Sequence, residues 1–236
     1  MKSNRQSTKQ SVSLILAEMW NLGLYVNNEE STAESVLKKK RELEANGYRF
    51  EDAEASLHLL ILESLGYVIK PFEVVSWEIK SSRTLSDRSE VSGTIVVRIF
   101  DSSGSSREVG ATKKGVGPIH AVDLALKECL ENDFPELKNL RLSSYSLNIV
   151  DSRNGTAAAA RARTEFTQYK FQGVQSAYIS NETWATTAVS DDVLDASIKS
   201  LIDGYRYKLI FRNERSRFAV PDWKIAISGR YSSERC

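Results

Sequence analysis

The feature that most restricts how this chain can fold is a pattern of three strands followed by one helix, which occurs twice. The two helices align at a spacing of 75 residues, so that Leu201 falls on Leu126. The first strands align at a spacing of 68 residues, which places Tyr145 on Trp77. We expect loops, mainly around residues 171–182, to absorb the difference. A repeated β-β-β-α unit predicts an α+β fold with internal pseudo-symmetry.

Unit one is predicted over residues 71–138. Val75, Trp77 and Ile79 alternate with polar residues, as in a half-buried antiparallel strand, and should share one face. The predicted strands cover residues 74–81, 90–100 and 105–115, and the helix begins at Pro118, with its apolar stripe at Ile119, Val122, Leu126 and Leu130 opposite a polar face that includes Asp123.

Unit two is predicted over residues 139–210. Its first strand alternates through Tyr145, Leu147 and Ile149. Its strands are predicted over residues 142–151, 156–166 and 181–190, and its helix over residues 191–209, with Leu194, Ile198, Leu201 and Tyr205 facing inward. Because a three-stranded sheet with one helix leaves edges and one face poorly covered, the two units should pack together. The same reasoning predicts a homodimer.

A helical connector is predicted over residues 1–70. Three helical segments are predicted, over residues 14–24, 31–46 and 50–66. Apolar residues recur at helical spacing in the first and third, whereas the second is indicated by its Ser/Thr cap and by the stop at Asn46-Gly47, and most of its surface should face water. The first segment carries Leu14, Leu16 and Met19 on its apolar side. Gly23, Gly47 and Gly66 stand where the helices should end, since glycine readily adopts the left-handed conformation of a helix stop. A tail over residues 211–236 completes the chain.

The balance of charges argues against a partner that is recognised through the net charge of this chain. Lys plus Arg number 32 and Asp plus Glu number 31, for a net charge of +1. A chain this neutral has no field to attract nucleic acid or an anionic membrane, so we expect neither partner. Two distant cysteines, Cys129 and Cys236, form no disulfide framework and favour a reducing, cytoplasmic setting. The basic first residues only weakly resemble an organelle presequence.

The glycine turn at residues 115–118, with the sequence GVGP, allows two interpretations. It lacks the Lys-Ser/Thr of a phosphate-binding P-loop. Pro118 suits the first position of a helix, so the turn can be a plain helix entry. Alternatively, Gly117 and free N–H groups at the helix start can hold a small anion such as a carboxylate. In unit two, Asp191 and Asp192 occupy the same place and should fill the helix end themselves or meet an ammonium group.

No reactive centre is predicted. His58 and His120 are the only histidines, and neither has the spacing of a metal site or of a nucleophile with its base. We therefore predict no catalytic residue, no metal and no cofactor in this chain.

The run GTAAAARA, residues 155–162, is rich in small side chains. Such residues allow tight packing of a sheet against a helix or a neighbouring backbone. They can equally form the floor of a small apolar pocket sized for an aliphatic side chain. Both interpretations remain open at this point.

Several stretches together resemble a known family. They are LKKKRELEANGYRFEDAEASLHLL, PFEVVSWEI, GVGPIHAVDLAL, NIVDSRNGTAAAARA and WATTAVSDDVLDASIKSLIDGYRYKL. They are similar to the C-terminal half of citramalate synthase and, more distantly, of 2-isopropylmalate synthase, over about residues 15–210. The stretch GYRFEDAEAS points to the citramalate synthase branch.

The resemblance implies a regulatory role. In that family an N-terminal metal-dependent barrel condenses acetyl-CoA with a 2-oxo acid, and the C-terminal domain dimerises and binds an amino acid as feedback effector. It implies that residues 71–210 dimerise and bind isoleucine or leucine, without the barrel. The implied effector contacts are Asp151, Gly155, Thr156, Ala157 and Ala158, with Gly117 and Pro118 shaping the region.

Two alternatives remain beside this reading. The chain can be the non-catalytic part of a split or truncated synthase that works with a separate barrel chain. It can also be a remnant that dimerises and binds no ligand.

Overall fold

The structure is a computed structural model that describes residues 2–67, 70–83, 89–101, 105–150, 155, 157–172 and 177–211. Three helices come first, and two β-β-β-α units follow, as the repeat predicts. The predicted tail lies almost wholly outside the described residues.

The connector consists of α1 (Lys2–Asn21), α2 (Glu29–Ala45) and α3 (Glu54–Ser64). Gly23, Gly47 and Gly66 have the left-handed φ angles predicted for helix stops. The inward side of α1 is formed by Val12, Ile15 and Met19, which are spaced by three and four residues as a helix requires. The prediction that Leu14 belongs to the apolar side was wrong, because that side chain is 63% exposed.

Each unit forms an antiparallel three-stranded sheet in sequence order. In unit one the elements are β1 (Phe72–Arg83), β2 (Ser89–Phe100), β3 (Ser106–Gly115) and α4 (Pro118–Leu130). In unit two they are β4 (Leu140–Ile149), β5 (Ala160–Gln172), β6 (Ala177–Ser190) and α5 (Val193–Phe211). The strand predicted to begin at residue 156 therefore starts four residues later.

A β-bulge in the first strand of each unit corrects the predicted alternation. Val74 lies opposite Val97 and Trp77 lies opposite Ile95, so one extra residue, Val75, stands between them. Val75 therefore does not share a face with Trp77, and it is 44% exposed. The corresponding bulge in unit two lies between Leu142 and Ser144. Equivalent bulges in the two sheets are independent support for the repeat.

Each helix packs closely on its own sheet. A Cβ atom added at Gly93 would lie 2.9 Å from the backbone nitrogen of Val122, and one added at Gly115 would meet Ala121 at 2.5 Å. These glycines let α4 approach the sheet. In unit two, Ala160 and Ala162 are fully buried on the face of β5 that carries Thr164. On that face the Thr164 and Ser200 hydroxyls, on β5 and α5, are 2.8 Å apart.

The two units share one hydrophobic core, which runs from Ile95 and Leu126 in unit one to Phe166 and Trp184 in unit two. A buried hydrogen bond joins their helices, where the Tyr205 hydroxyl donates to Asp123 Oδ1 at 2.6 Å. Asp123 was predicted on the polar face of its helix, and this was wrong, because it is only 6% exposed. Helix α5 of the other unit covers Asp123 through Tyr205.

The connector packs on the opposite face of the second sheet. Successive residues of a strand point to opposite faces, so Arg163 and Thr187 face away from α5. The Thr187 N–H donates to Ser56 Oγ at 2.8 Å, and Arg163 Nε donates to the Asp52 carbonyl at 2.7 Å. Arg161 donates to the Gly47 carbonyl at 2.9 Å. Strands β5 and β6 are therefore covered on one face by α5 and on the other by the connector.

Candidate functional site

The N-terminus of α4 has no side-chain cap. Gly117 is its capping residue and Pro118 is its first helical residue, as predicted. The Val116 N–H donates to His120 Nδ1 at 3.2 Å, which fixes the turn before the helix. The first backbone N–H groups of α4 therefore receive no carboxylate or hydroxyl from the capping residue.

The N-terminus of α5 is filled by its own side chain. Asp192 Oδ1 accepts hydrogen bonds from the N–H groups of Leu194 at 2.8 Å and Asp195 at 3.4 Å. Of the two alternatives left open for this position, the structure therefore supports self-capping. Burial alone would raise the pKa of Asp195, but hydrogen bonds from Lys199 and Ser190 outweigh it and lower that pKa.

The small-residue turn, which we define as residues 151–159, precedes β5. Asp151 and Thr156 of the predicted effector contacts lie outside the described residues. Gly155 is exposed with a left-handed φ of 57°, and Ala157 is exposed as well. Ala158 is buried, at 5% exposure. The Val150 N–H donates to the Ala159 carbonyl at 2.8 Å, which closes the turn.

The strand register shows which predicted contacts lie at which end of the molecule. Ala160 pairs with Ser190, so the end of the small-residue turn lies beside the start of α5. Gly117 and Pro118 instead follow Gly115, which pairs with Val91 in unit one. The predicted contacts therefore belong to equivalent ends of two different units.

The two histidines have structural partners. His58 lies between Glu18 Oε2, 3.1 Å from Nε2, and the Tyr207 hydroxyl, 3.0 Å from Nδ1, so it links the connector to α5. His120 accepts the Val116 N–H. Within the described ranges, no group of three or more His, Cys, Asp or Glu side chains is placed to hold a metal ion.

A cavity of about 270 Å³ at the junction of α4 and β4 was not predicted. It combines charged and apolar walls, which are formed by Ile119, His120, Asp123, Lys127, Arg141, Leu142 and Tyr145. Lys127 Nζ donates to Asp123 Oδ2 at 3.0 Å. No signal in the sequence indicates this cavity, because its two walls come from different units.

An exposed apolar stripe lies on β4. Tyr145, Leu147 and Ile149 are 41%, 39% and 54% exposed, and they point to the same face of the sheet. The helix α5 lies over β5 and β6. It reaches this stripe through a bond of 2.8 Å between the Tyr145 and Ser197 hydroxyls. We call these three residues the edge stripe.

The sequence model of the LeuA allosteric (dimerisation) domain matches residues 51–209. The chain belongs to this family. The resemblance that the sequence motifs indicated is thus confirmed, and the match includes both units and α3 of this LeuA domain.

The relatives of this LeuA domain include several (R)-citramalate synthases. That of Geobacter sulfurreducens is 30% identical over 196 residues, which are 83% of this chain and 34% of the relative. That of Aquifex aeolicus is 32% identical over 196 residues, with the same two shares. That of Sulfolobus acidocaldarius is 28% identical over 188 residues, which are 80% of this chain and 31% of the relative.

The chain thus spans about a third of the length of these relatives, and the match lies in their C-terminal part. As for membranes, the helices that the structure describes include none long and apolar enough to cross a bilayer.

Proposed function

We propose that this LeuA domain dimerises and binds a branched-chain amino acid, isoleucine or leucine, as a feedback effector. The observation that carries the proposal is the family match over residues 51–209, which includes both units. The relatives named above are (R)-citramalate synthases. The effector would be an amino acid end product of the synthesis that such an enzyme serves. The cytoplasmic setting inferred from the cysteines is part of the same proposal.

The proposed effector site is the small-residue turn, with Asp151, Gly155, Thr156, Ala157 and Ala158. Exposure of Gly155 and Ala157 leaves the turn accessible, while buried Ala158 supplies an apolar floor. Backbone N–H groups of the turn would hold the carboxylate of the effector, and Asp151 would hold its ammonium group. Gly117 and Pro118, at the uncapped start of α4, are proposed to help shape the region around the effector.

Condensation of acetyl-CoA with a 2-oxo acid would take place outside residues 1–236. We propose that this chain acts with a catalytic barrel of the citramalate synthase or 2-isopropylmalate synthase type. The barrel would be encoded in the same gene or in a separate chain. The role of this chain is then to report the concentration of the amino acid to that barrel.

Isothermal titration calorimetry tests the effector proposal directly. We expect heat of binding with isoleucine or leucine at up to millimolar concentration, and none with lysine, whose side chain carries a charge. Ala158→Leu should abolish the binding, because the larger side chain would fill the space proposed for the aliphatic side chain of the effector. Ala17→Leu, at an exposed position of α1, is the matched control and should bind normally.

Two results would count against the proposal. Absence of heat with every branched-chain amino acid would remove the effector function. Unchanged binding by Ala158→Leu would leave that function intact but would place the site elsewhere. Size-exclusion chromatography of the same variant should show the wild-type elution volume, since the floor is proposed to lie outside the dimer contact.

A further inference from the structure

The edge strand of unit two differs from its counterpart in unit one. In unit one, Trp77 and Ile79 are half-buried and pack against the main core. Their counterparts at the spacing of 68 residues are Tyr145 and Leu147, which are exposed. The same position in the repeat is therefore part of the core in one unit and open in the other.

Charge separates the two edges further. The strand β1 carries four charged residues, namely Glu73, Glu78, Lys80 and Arg83. Charges of this kind keep an edge strand from pairing with another chain, because pairing would remove them from water. In β4, by contrast, residues 143–149 form an unbroken run of seven uncharged residues. A second strand can approach this run without burying a charge.

The backbone of β4 is also available for pairing. Within the part of the chain that the structure describes, β4 pairs only with β5, so its other side is the edge of the sheet. An edge strand that is long and uncharged, with one exposed apolar face, is unfavourable in water unless something covers it.

We infer that β4 pairs in antiparallel fashion with β4 of a second copy of this chain, across a two-fold axis near Leu147. The two three-stranded sheets then form one six-stranded sheet. This inference rests on the proposed dimerisation and names its surface. A two-fold axis makes the contact self-complementary, so one strand can serve as both halves of the interface.

The register follows from the edge stripe. In a two-fold antiparallel pair the residue on the axis faces its own copy, and residues equally distant from it on either side face each other. An axis at Leu147 places Leu147 opposite Leu147 of the partner subunit and Tyr145 opposite Ile149 of the partner subunit. All apolar side chains of the stripe then meet apolar side chains, whereas a shift of one residue would break the match.

A charge placed in the stripe tests the surface. Sedimentation velocity of the full chain over a concentration series should show a wild-type dimer. In Leu147→Glu, both copies would bring an unpaired carboxylate into the contact, so the dimer Kd should rise at least about 100-fold. Leu14→Glu, at a 63% exposed leucine on α1, is the matched control and should leave the Kd unchanged.

The outcomes separate the surface from the proposed function. A monomeric wild type would refute the proposed dimerisation itself. A dimeric wild type whose Kd is unchanged by Leu147→Glu would overturn the β4 surface alone. Circular dichroism of Leu147→Glu should match the wild type, because Leu147 is not part of the core.

Cysteine cross-linking tests the register independently of affinity. In a Cys236→Ser background, Leu147→Cys should oxidise to a disulfide-linked dimer, since directly opposed residues have Cα atoms about 4.5–5.5 Å apart, within disulfide range. Tyr145→Cys alone should not, because its own copy would lie four residues along the strand, about 14 Å away. Efficient cross-linking at residue 145 but not at residue 147 would overturn the proposed register.

Discussion

Removal of one hydroxyl group, in Tyr205→Phe, should weaken the junction of the two units. This hydroxyl donates to Asp123 across the interface of α4 and α5 at 2.6 Å. The Tyr205 side chain is fully buried and Asp123 is 6% exposed, so the bond is almost wholly shielded from bulk solvent. Burial is the main cause that raises the pKa of Tyr205, and the negative charge of Asp123 is the second. The hydroxyl therefore remains a neutral donor.

The expected loss can be estimated from this geometry. Hydrogen bonds to charged groups contribute about 1.5–3 kcal/mol net, and short O–H···O⁻ bonds are the strong ones. After the substitution, the one hydrogen bond that Asp123 keeps among the described residues is that of 3.0 Å from Lys127. We therefore expect the free energy of unfolding to fall by about 2–3 kcal/mol. Asp123→Asn should cost less, because an amide oxygen can still accept from Tyr205.

Urea unfolding followed by circular dichroism measures this loss. All variants should be compared at one protein concentration, because dimerisation contributes to apparent stability. A double-mutant cycle of Tyr205→Phe with Asp123→Ala isolates the pair, because Asp123→Ala removes the acceptor whereas Asp123→Asn keeps one. Tyr25→Phe, at a residue that is 74% exposed, is the control. A loss below about 0.5 kcal/mol for Tyr205→Phe would refute the idea that this bond contributes strongly to joining the units.

Three further predictions concern Gly204, Cys129 and the partly buried Asp203. Gly204→Ala should destabilise by about 1–2 kcal/mol in urea unfolding despite the better helix propensity of alanine, because the new Cβ would overlap the Phe166 ring; near-neutral behaviour would contradict this. Burial raises the pKa of Asp203 to about 6, although Arg206 opposes the rise. The folded protein therefore holds this proton more tightly than the unfolded chain does. The resulting stabilisation is complete below about pH 4 and is lost as the pH rises through 6. When the pH is raised from 4 to 7, Asp203→Asn should therefore become more stable relative to the wild type, as measured by the urea midpoints of both proteins at each pH. If the difference between the two midpoints is the same at both pH values, the predicted effect of the Asp203 proton is refuted. Burial raises the pKa of Cys129 to about 11, so its thiol should be unreactive at pH 8. After iodoacetamide treatment at that pH, mass spectrometry should find Cys129 unmodified in the folded protein and modified in urea. Rapid labelling of the native state would contradict its burial.

The repeat was predictable because both units carry the same periodicities, and periodicity reflects burial. Ile198, Leu201 and Tyr205 were predicted to face inward and are buried. The helix stops were predictable for a different reason, namely the conformational freedom of glycine. Glycines at residues 23, 47 and 66 have left-handed angles that other residues adopt with strain.

The bulges were not predictable from alternation. Val75 is an apolar residue at an apolar-looking position, and nothing in VVSWEIKS shows that one residue is extra in the pairing. The bulge depends on how β1 fits β2, which is a property of two strands and not of one. The exposure of Leu147 was missed for a similar reason, because it depends on where α5 crosses the sheet.

The candidate site was predictable only in part. Asp192 fills its own helix end, which follows from the preference of aspartate for that position. The alanines at 160 and 162 face the tightly packed side of the sheet, so packing explains them. The cavity between α4 and β4 needs residues from both units, and local sequence does not encode how the units meet.

The position of the connector breaks the symmetry that the repeat creates. The second sheet donates three hydrogen bonds to the connector. They run from Thr187 to Ser56, from Arg163 to Asp52 and from Arg161 to Gly47. A twist or shift of that sheet would therefore displace the segment between α2 and α3, which these bonds hold in place. The duplicated halves have thereby become unequal, since these three contacts hold the connector to the second half.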